Sequence, residues 1–78
     1  MIINIKDTLT LDDKNEYVVV SKANYENKTY YYLIDKNNYS NVKFCYGDND
    51  ELVEINDKLL ITKLLPLFLD AGMNEINS

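Results

Sequence analysis

The sequence predicts an α+β fold in which a five-stranded antiparallel meander packs against one C-terminal helix. Three observations predict it: short segments of alternating hydrophobicity, tight polar turns between them, and a long apolar segment near the C-terminus. Strands joined by tight turns favour antiparallel pairing, and a terminal helix can cover the sheet. Five short strands could also roll into a partly open SH3-like barrel, and the sequence leaves that alternative open.

The first two strands are predicted from alternation. Residues 3–11 alternate, with a bend expected near Asp7. Residues 16–25 form the clearest strand because β-branched and aromatic residues fill it. Its hairpin closes at Glu26-Asn27-Lys28, where asparagine suits a positive φ. Strict alternation predicts that one face of this second strand carries Tyr17, Val19, Ser21, Ala23 and Tyr25.

Three further strands follow in order. Residues 29–35 carry apolar bulk on both faces, so we expect a central strand. A polar loop is predicted over residues 36–41 and a fourth strand over residues 42–46. A strong turn signal at residues 47–50 then precedes a short fifth strand over residues 51–55.

The fourth strand contains the single cysteine. Val42, Phe44 and Tyr46 are predicted to face the core, and Lys43 and Cys45 to face away. A reactive thiolate needs a base or a positive field beside it, and the chain has no histidine. We therefore interpret Cys45 as a passive small apolar residue rather than as a nucleophile.

The C-terminal segment predicts a helix that begins at an Asn56 or Asp57 cap and runs to about Ala71. Gly72 is the expected stop, and Pro66 should kink the helix. Every fourth residue is non-apolar, which forms a narrow stripe: Lys58, Thr62, Pro66 and Asp70. The remaining apolar arc is wider than one sheet face needs. Either the sheet curls around the helix, or part of the arc meets another chain.

Length and composition limit the function. The 78 residues predict a single domain over residues 1–72 and a flexible tail over residues 73–78. The absence of histidine and arginine removes the commonest general base and the bidentate grip on phosphate. We therefore expect no enzyme activity, no cofactor, no metal and no small-molecule substrate. The formal net charge of −5 disfavours direct nucleic-acid binding.

The lone cysteine and the lack of a leader or of a membrane-length apolar run indicate a cytoplasmic protein with no membrane contact.

Two acidic groups are candidate chemical sites. Hard cations prefer clustered oxygen ligands, and carboxylate pairs serve glycoside hydrolysis only with a raised pKa. The EF-hand spacing is missing, and polar turns offer no burial to raise a pKa, so solvated turns are favoured in both places. The first group surrounds Gly47 and comprises Asp48, Asp50 and Glu51. The second lies in the first polar turn and comprises Asp12, Asp13 and Glu16.

Tyrosines are the other notable feature, because tyrosine serves both strands and interfaces. Core and strand roles are favoured, but so small a sheet cannot bury them all. We predict that Tyr31 and Tyr39 are exposed. The cluster comprises Tyr25, Tyr30, Tyr31, Tyr32, Tyr39 and Tyr46.

Three stretches carry a family resemblance: EYVVVSKANYENKTYYYLID, VKFCYG and ELVEINDKLLITKLLPLF. Across Glu16 to Phe68 the chain resembles the uncharacterised YrzB-like family of small acidic proteins of low-GC Gram-positive bacteria and their mobile elements. It is less acidic than that pattern and richer in Asn and Tyr. The resemblance implies no known activity and no catalytic residues. It leaves open a host-directed role, because related small proteins occur on phages and conjugative elements.

The function predicted first is a non-catalytic protein-interaction module, self-associating as a homodimer. The alternative is an acidic antagonist that blocks a nucleic-acid-binding host protein, and an enzyme or small-ligand carrier ranks last. The apolar and aromatic residues expected to bind a partner are Tyr31, Tyr39, Ile61, Leu65 and Leu69. The acidic ones are Asp48, Asp50, Glu51 and Glu54, with Asp57 extending the same charged stripe.

Overall fold

The fold is a curled antiparallel sheet followed by one helix. A computed structural model describes the backbone of residues 3–48 and 51–77 and the side chains of residues 3–48 and 51–70. The sheet follows chain order and consists of β1 (Thr8–Thr10), β2 (Glu16–Tyr25), β3 (Lys28–Asp35), β4 (Asn38–Asp48) and β5 (Glu51–Glu54). Helix α1 (Lys58–Asn77) completes the chain. The α+β meander is confirmed, with β3 at its centre, and the sheet curls into a half-barrel.

The start of the sheet differs from the prediction. The strand expected over residues 3–11 is reduced to β1. Before it the chain turns: the Asp7 amide donates to the Asn4 carbonyl at 3.1 Å, and Lys6 adopts φ 82°. The Lys6 amide then donates to the Val19 carbonyl at 2.7 Å, so the turn stays attached to β2. The bend predicted near Asp7 is therefore present, although the strand does not continue through it.

The two central hairpins are tight. Glu26 and Asn27 have φ values of 49° and 67°, so the β2–β3 turn has the left-handed residues of a type I′ hairpin. The loop predicted over residues 36–41 is wrong, because β4 begins at Asn38. The Asp35 carboxylate accepts the Asn37 amide at 2.8 Å, and this local bond lets a polar run close as a short turn. Residues 49 and 50, in the predicted β4–β5 turn, lie outside the described residues.

A bulge in β2 exchanges the faces of the strand. Val19 pairs with Leu33 and Ser21 pairs with Tyr32, so Val20 is an extra residue without a partner in the register. Tyr17 and Val19 therefore lie on one face of the sheet, while Ser21, Ala23 and Tyr25 lie on the other. The single five-residue face predicted for this strand is wrong, because strict alternation holds only without a bulge.

Each face of the sheet has its own core. The groove-face core comprises Ile3, Tyr17, Val19, Tyr31, Leu33 and Cys45. The helix-face core comprises Tyr30, Ile55, Leu64 and Phe68. Two predictions fail here: Tyr31 is 6% exposed rather than exposed, and Cys45 is buried rather than facing away from the core. Both side chains lie on the groove face, which the curl of the sheet encloses.

The predicted start of helix α1 is confirmed, whereas its predicted end is wrong. The Asp57 Oδ1 atom accepts the amides of Leu59 and Leu60 at 3.0 and 3.3 Å, which confirms the predicted N-cap. The stop at Gly72 is wrong, because the helix continues to Asn77. A glycine costs a helix interior only about 1 kcal/mol relative to alanine, which a helix can absorb. Ser78 lies outside the described residues, and the domain boundary at residue 72 stays a prediction.

The helix docks through Leu64 and Phe68, which are 0% and 1% exposed. The Phe68 ring centre lies 5.9 Å from that of Tyr32 and 6.0 Å from that of Phe44, within the range of favourable aromatic contact. The Ser21 hydroxyl donates to the Phe68 carbonyl at 2.6 Å in a buried position. The bulge makes this bond possible, since it turns Ser21 toward the helix.

Truncating the docking leucine should destabilise the fold far more than truncating an exposed one. Leu64→Ala should lower the free energy of unfolding by about 3 kcal/mol, because it leaves a cavity between helix and sheet. The matched change Leu59→Ala, at a side chain 77% exposed, should alter it by less than about 0.5 kcal/mol. Urea unfolding followed by circular dichroism measures both. Equal losses in the two variants would contradict the docking described here.

Candidate functional site

The helix leaves leucines exposed on two flanks. Leu65 is 37% exposed and Leu69 is 63% exposed, and they follow the half-buried Ile61 at spacings of four residues. These three residues, here called the helix stripe, share one flank because residues four apart lie above one another on a helix. Leu59 and Leu67, at 77% and 38% exposure, lie off this stripe. The structure thus brings together the three helix residues that the sequence selected.

A lysine lies on the same side of the helix as the two exposed leucines of the helix stripe. Lys58, Thr62, Leu65 and Leu69 are spaced at i, i+4, i+7 and i+11, which places them along one side of α1. Ile61 also packs against the helix-face core, so the stripe extends that core toward the surface. An apolar strip with a lysine beside it can approach a second acidic chain more easily than the rest of the surface can.

The predicted aromatic contacts do not join the helix stripe. Tyr31 is in the groove-face core and cannot contact a partner without unfolding. Tyr39 is 79% exposed, as predicted, but it lies near the start of β4 beside the β3–β4 turn. Phe44, the β4 residue that contacts the helix at Phe68, lies five residues further along the strand.

The predicted acidic stripe is only partly assembled. Asp48 and Glu51 are exposed neighbours across β4 and β5. Glu54 is paired with Lys43, with 3.3 Å between Oε1 and Nζ. Asp57 is engaged as the helix cap. Asp50 lies outside the described residues, so its part in the stripe is untested.

A groove opens on the concave side of the sheet, between the two edge strands. It encloses about 790 Å³ and is lined by β1, the turn after it, β4 and β5. Its apolar lining includes Leu9 and Leu11 from one edge and Leu52 from the other, and all three pack against the groove-face core. The charged residues that line it are Asp12, Asp13, Lys43, Glu51 and Glu54.

One polar network links the turns at one end of the groove. The Tyr17 hydroxyl donates to the Asp13 carboxylate at 2.6 Å and accepts the Asn41 amide group at 3.0 Å. Asn41 also donates to Asp35 at 3.1 Å. The bond from Tyr17, followed by that from the Asn15 amide, holds the pKa of Asp13 below its ordinary value. Asp13 therefore carries a stable negative charge at the groove rim at neutral pH.

Cys45 lies in the groove lining but is not activated. Burial, and next the charge of Glu54, raises the pKa of its thiol from 9.0 to about 11. A thiol with a raised pKa holds its proton at neutral pH, whereas a nucleophile needs the thiolate. This environment agrees with the interpretation of Cys45 as a passive apolar residue.

The described side chains also bear on the other chemistries. Among them, no three or more Cys, Asp or Glu residues gather closely enough to hold a metal ion. Every buried polar side-chain atom described has a hydrogen-bond partner. Within the described residues, no helix combines the length and apolarity that crossing a bilayer requires.

Comparisons of the chain with protein-family models, curated proteins and solved structures find no match. The resemblance to the YrzB-like family therefore stays a prediction, and function must be argued from this chain's own surfaces.

Sequence reasoning missed the groove. Its signal was present: Leu9 and Leu11 share a parity, and the barrel alternative would have placed the first and last strands at facing edges. The flat meander placed Asp12 and Asp13 in a solvated turn far from β5, so their approach to Glu51 and Glu54 around one groove was not anticipated.

Removing the Tyr17 hydroxyl should raise the pKa of Asp13. In Tyr17→Phe the pKa of Asp13 should rise toward its ordinary 3.8, because the largest cause of its depression is gone. A depressed folded-state pKa stabilises the fold above the unfolded-state pKa, and this contribution is lost as pH falls through the folded-state value. The stability difference between wild type and Tyr17→Phe should therefore narrow at acidic pH.

Carboxyl-carbon NMR titration measures the pKa of Asp13, and urea unfolding at several pH values measures the stability. Tyr39→Phe is the matched control, since its hydroxyl belongs to a side chain 79% exposed. An Asp13 titration that is identical in wild type and Tyr17→Phe would show that the bond does not hold the carboxylate.

Proposed function

We propose that the protein is a non-catalytic protein-interaction module that pairs with a second copy of itself through the helix stripe. The observation that carries this proposal is the exposure of Leu65 and Leu69, at 37% and 63%, on one flank of α1. In a small domain, a helix whose apolar arc exceeds what its own sheet can cover is typical of an interface.

The helix stripe suits pairing with itself. A two-fold interface places the same patch of both copies in contact, so each exposed leucine can pack against its counterparts. Fully burying a leucine side chain is worth about 1.5–3 kcal/mol, and ordering two chains offsets much of that gain. The pairing is therefore weak, in keeping with a patch that is only a few side chains long.

Electrostatics decides where the two acidic copies can meet. A net charge of −5 repels a second copy over most of the surface. Lys58 lies on the same side of the helix as Leu65 and Leu69, so it offsets part of this repulsion there. Association should consequently strengthen when salt screens the remaining charges.

Two matched double variants test the stripe. Leu65→Ser/Leu69→Ser should abolish self-association, because it removes the apolar surface of the proposed interface. Leu59→Ser/Leu67→Ser removes a similar exposed apolar area from the same helix, at 77% and 38% exposure, and should leave association intact. Sedimentation velocity over a range of protein concentrations and salt compares both variants with wild type.

A wild-type protein that stays monomeric at every concentration would contradict self-association. Equal behaviour of the two double variants would contradict the choice of flank. Affinity purification from the native host followed by mass spectrometry then asks whether a different protein occupies the stripe.

A second candidate function, the acidic antagonist of a nucleic-acid-binding protein, is supported by Asp48 and Glu51, which are exposed neighbours across two strands. Such an antagonist would bind its basic target less tightly as salt rises. Self-association through leucines should respond in the opposite direction, so one salt series separates the candidates. Binding to a basic target that ignores salt would exclude the antagonist.

A further inference from the structure

The groove is bordered by two strand edges that pair with no further strand among the residues that the structure describes. The sheet order ends with β1 on one side and β5 on the other, and these two strands are not paired with each other. Edge strands present backbone N–H and C=O groups that an additional strand can bind. The identity of these groups follows from the hydrogen bonds within the sheet.

On β5 the backbone N–H and C=O groups at the free edge are those of Leu52 and Glu54. The Ile55 amide donates to the Phe44 carbonyl at 2.7 Å, so this residue pair is hydrogen-bonded. Antiparallel bonding alternates, and Val53 opposite Tyr46 is the next bonded pair. The backbone groups of Leu52 and Glu54 therefore point away from β4, along the edge of the groove.

The same two residues also face the groove with their side chains. Leu52 and Glu54 both line it, one apolar and one acidic. Because they are two residues apart, they are same-face neighbours on β5. A strand added beside β5 would meet an apolar position and then an acidic position along its groove side.

The other residues that line the groove are also mostly apolar or acidic. Leu9 and Leu11 supply apolar surface from the β1 side. Asp12 and Asp13 bring negative charge from the turn after β1, and Glu54 adds more from β5. Lys43 is the one cationic side chain in the described lining, against these three carboxylates. A second copy of this acidic chain is a poor occupant for so negative a groove, whereas a basic and apolar segment complements it.

We propose that the groove binds an extended segment of another protein in which apolar residues alternate with lysine or arginine along one face, added as a strand to the free edge of β5. Its backbone pairs with Leu52 and Glu54, and its apolar side chains pack over Leu9 and Leu52. Its cations lie next to the carboxylates that line the groove. This proposal does not depend on the helix stripe, which uses different residues.

The probe is an end-blocked eight-residue peptide that repeats two valines and two lysines. In an extended strand this order places valine and lysine alternately on each face, so either orientation presents the required pattern. Titration into isotope-labelled protein should shift the amide signals of Leu52 and Glu54. Fluorescence anisotropy with a labelled peptide gives the affinity at physiological salt.

Backbone methylation separates strand pairing from simple charge attraction. Two further peptides carry N-methyl groups on all odd or all even residues, which removes the donors from one edge or the other. At least one of them should bind about tenfold more weakly than the parent peptide, because each lost donor leaves strand hydrogen bonds unmade. If both bind as tightly as the parent, the added strand is wrong.

Charge variants of the protein test whether the carboxylates that line the groove contribute to peptide binding. Asp12→Lys/Glu54→Lys should weaken binding of the parent peptide by about tenfold or more, because it reverses two groove charges. The control Glu26→Lys/Asp70→Lys makes the same change in net charge at residues outside the groove lining. It should remain within about threefold of wild type, since exposed charges beyond about 8 Å are largely screened at physiological salt.

Three further results would contradict the proposal that the groove binds this segment. No binding of the parent peptide at about 1 mM would overturn it, since a Kd of about 1 mM already marks weak pairing. A peptide with glutamate in place of lysine that binds equally well would overturn it too. Leu65→Ser/Leu69→Ser should bind the parent peptide as wild type does. Loss of binding in that variant would move the site to the helix and reject the groove, whatever the variant's oligomeric state.

Discussion

The fold depends on one extra residue in β2, the bulge at Val20. Without it, Tyr17, Val19 and Ser21 would share a face, and a polar side chain would lie among the groove-face core. With it, Tyr17 and Val19 fill that core, while Ser21 reaches the carbonyl of Phe68 beneath the helix. A bulge also increases local twist, which favours the curl that encloses the groove face. The two cores are therefore consequences of a single register shift.

Two cores in so short a chain determine what is left at the surface. A helix that covers one face of a small curled sheet has more apolar arc than the sheet can accept, so leucines remain on its flank. Among the described residues, the other face is covered by the curl and by the segment around Ile3, and a groove remains between β1 and β5. Short edge strands and nearby carboxylates are common protections against uncontrolled edge pairing. The acidic rim can therefore exclude further copies of this chain and still admit a basic segment.

The sequence predicted what local chemistry controls. The strand order, the tight hairpin with a positive φ at Asn27, the Asp57 cap and the polar stripe of the helix all follow from residues close in sequence. The positions of Tyr31 and Cys45 do not, because they depend on how strongly the whole sheet curls. The groove depends on the same long-range curl, and alternation along one strand cannot reveal a bulge. The helix stripe was predictable because helical spacing alone assembles it.

The ion pair between Lys43 and Glu54 can exchange when a cation enters the groove. Partial burial alone would lower the pKa of Lys43, but the bond with Glu54 and the other groups nearby raise it, so it stays charged. Its ammonium lies 3.3 Å from Glu54 and 5.9 Å from the centre of the Tyr17 ring. A partly exposed ion pair of this kind is worth about 0–1 kcal/mol, so an incoming cation can replace Lys43 at Glu54 with little net loss. Lys43 can then remain over the Tyr17 ring near Asp13. An internal lysine can thus offset part of the negative charge of the groove when the groove is empty without blocking a cationic ligand.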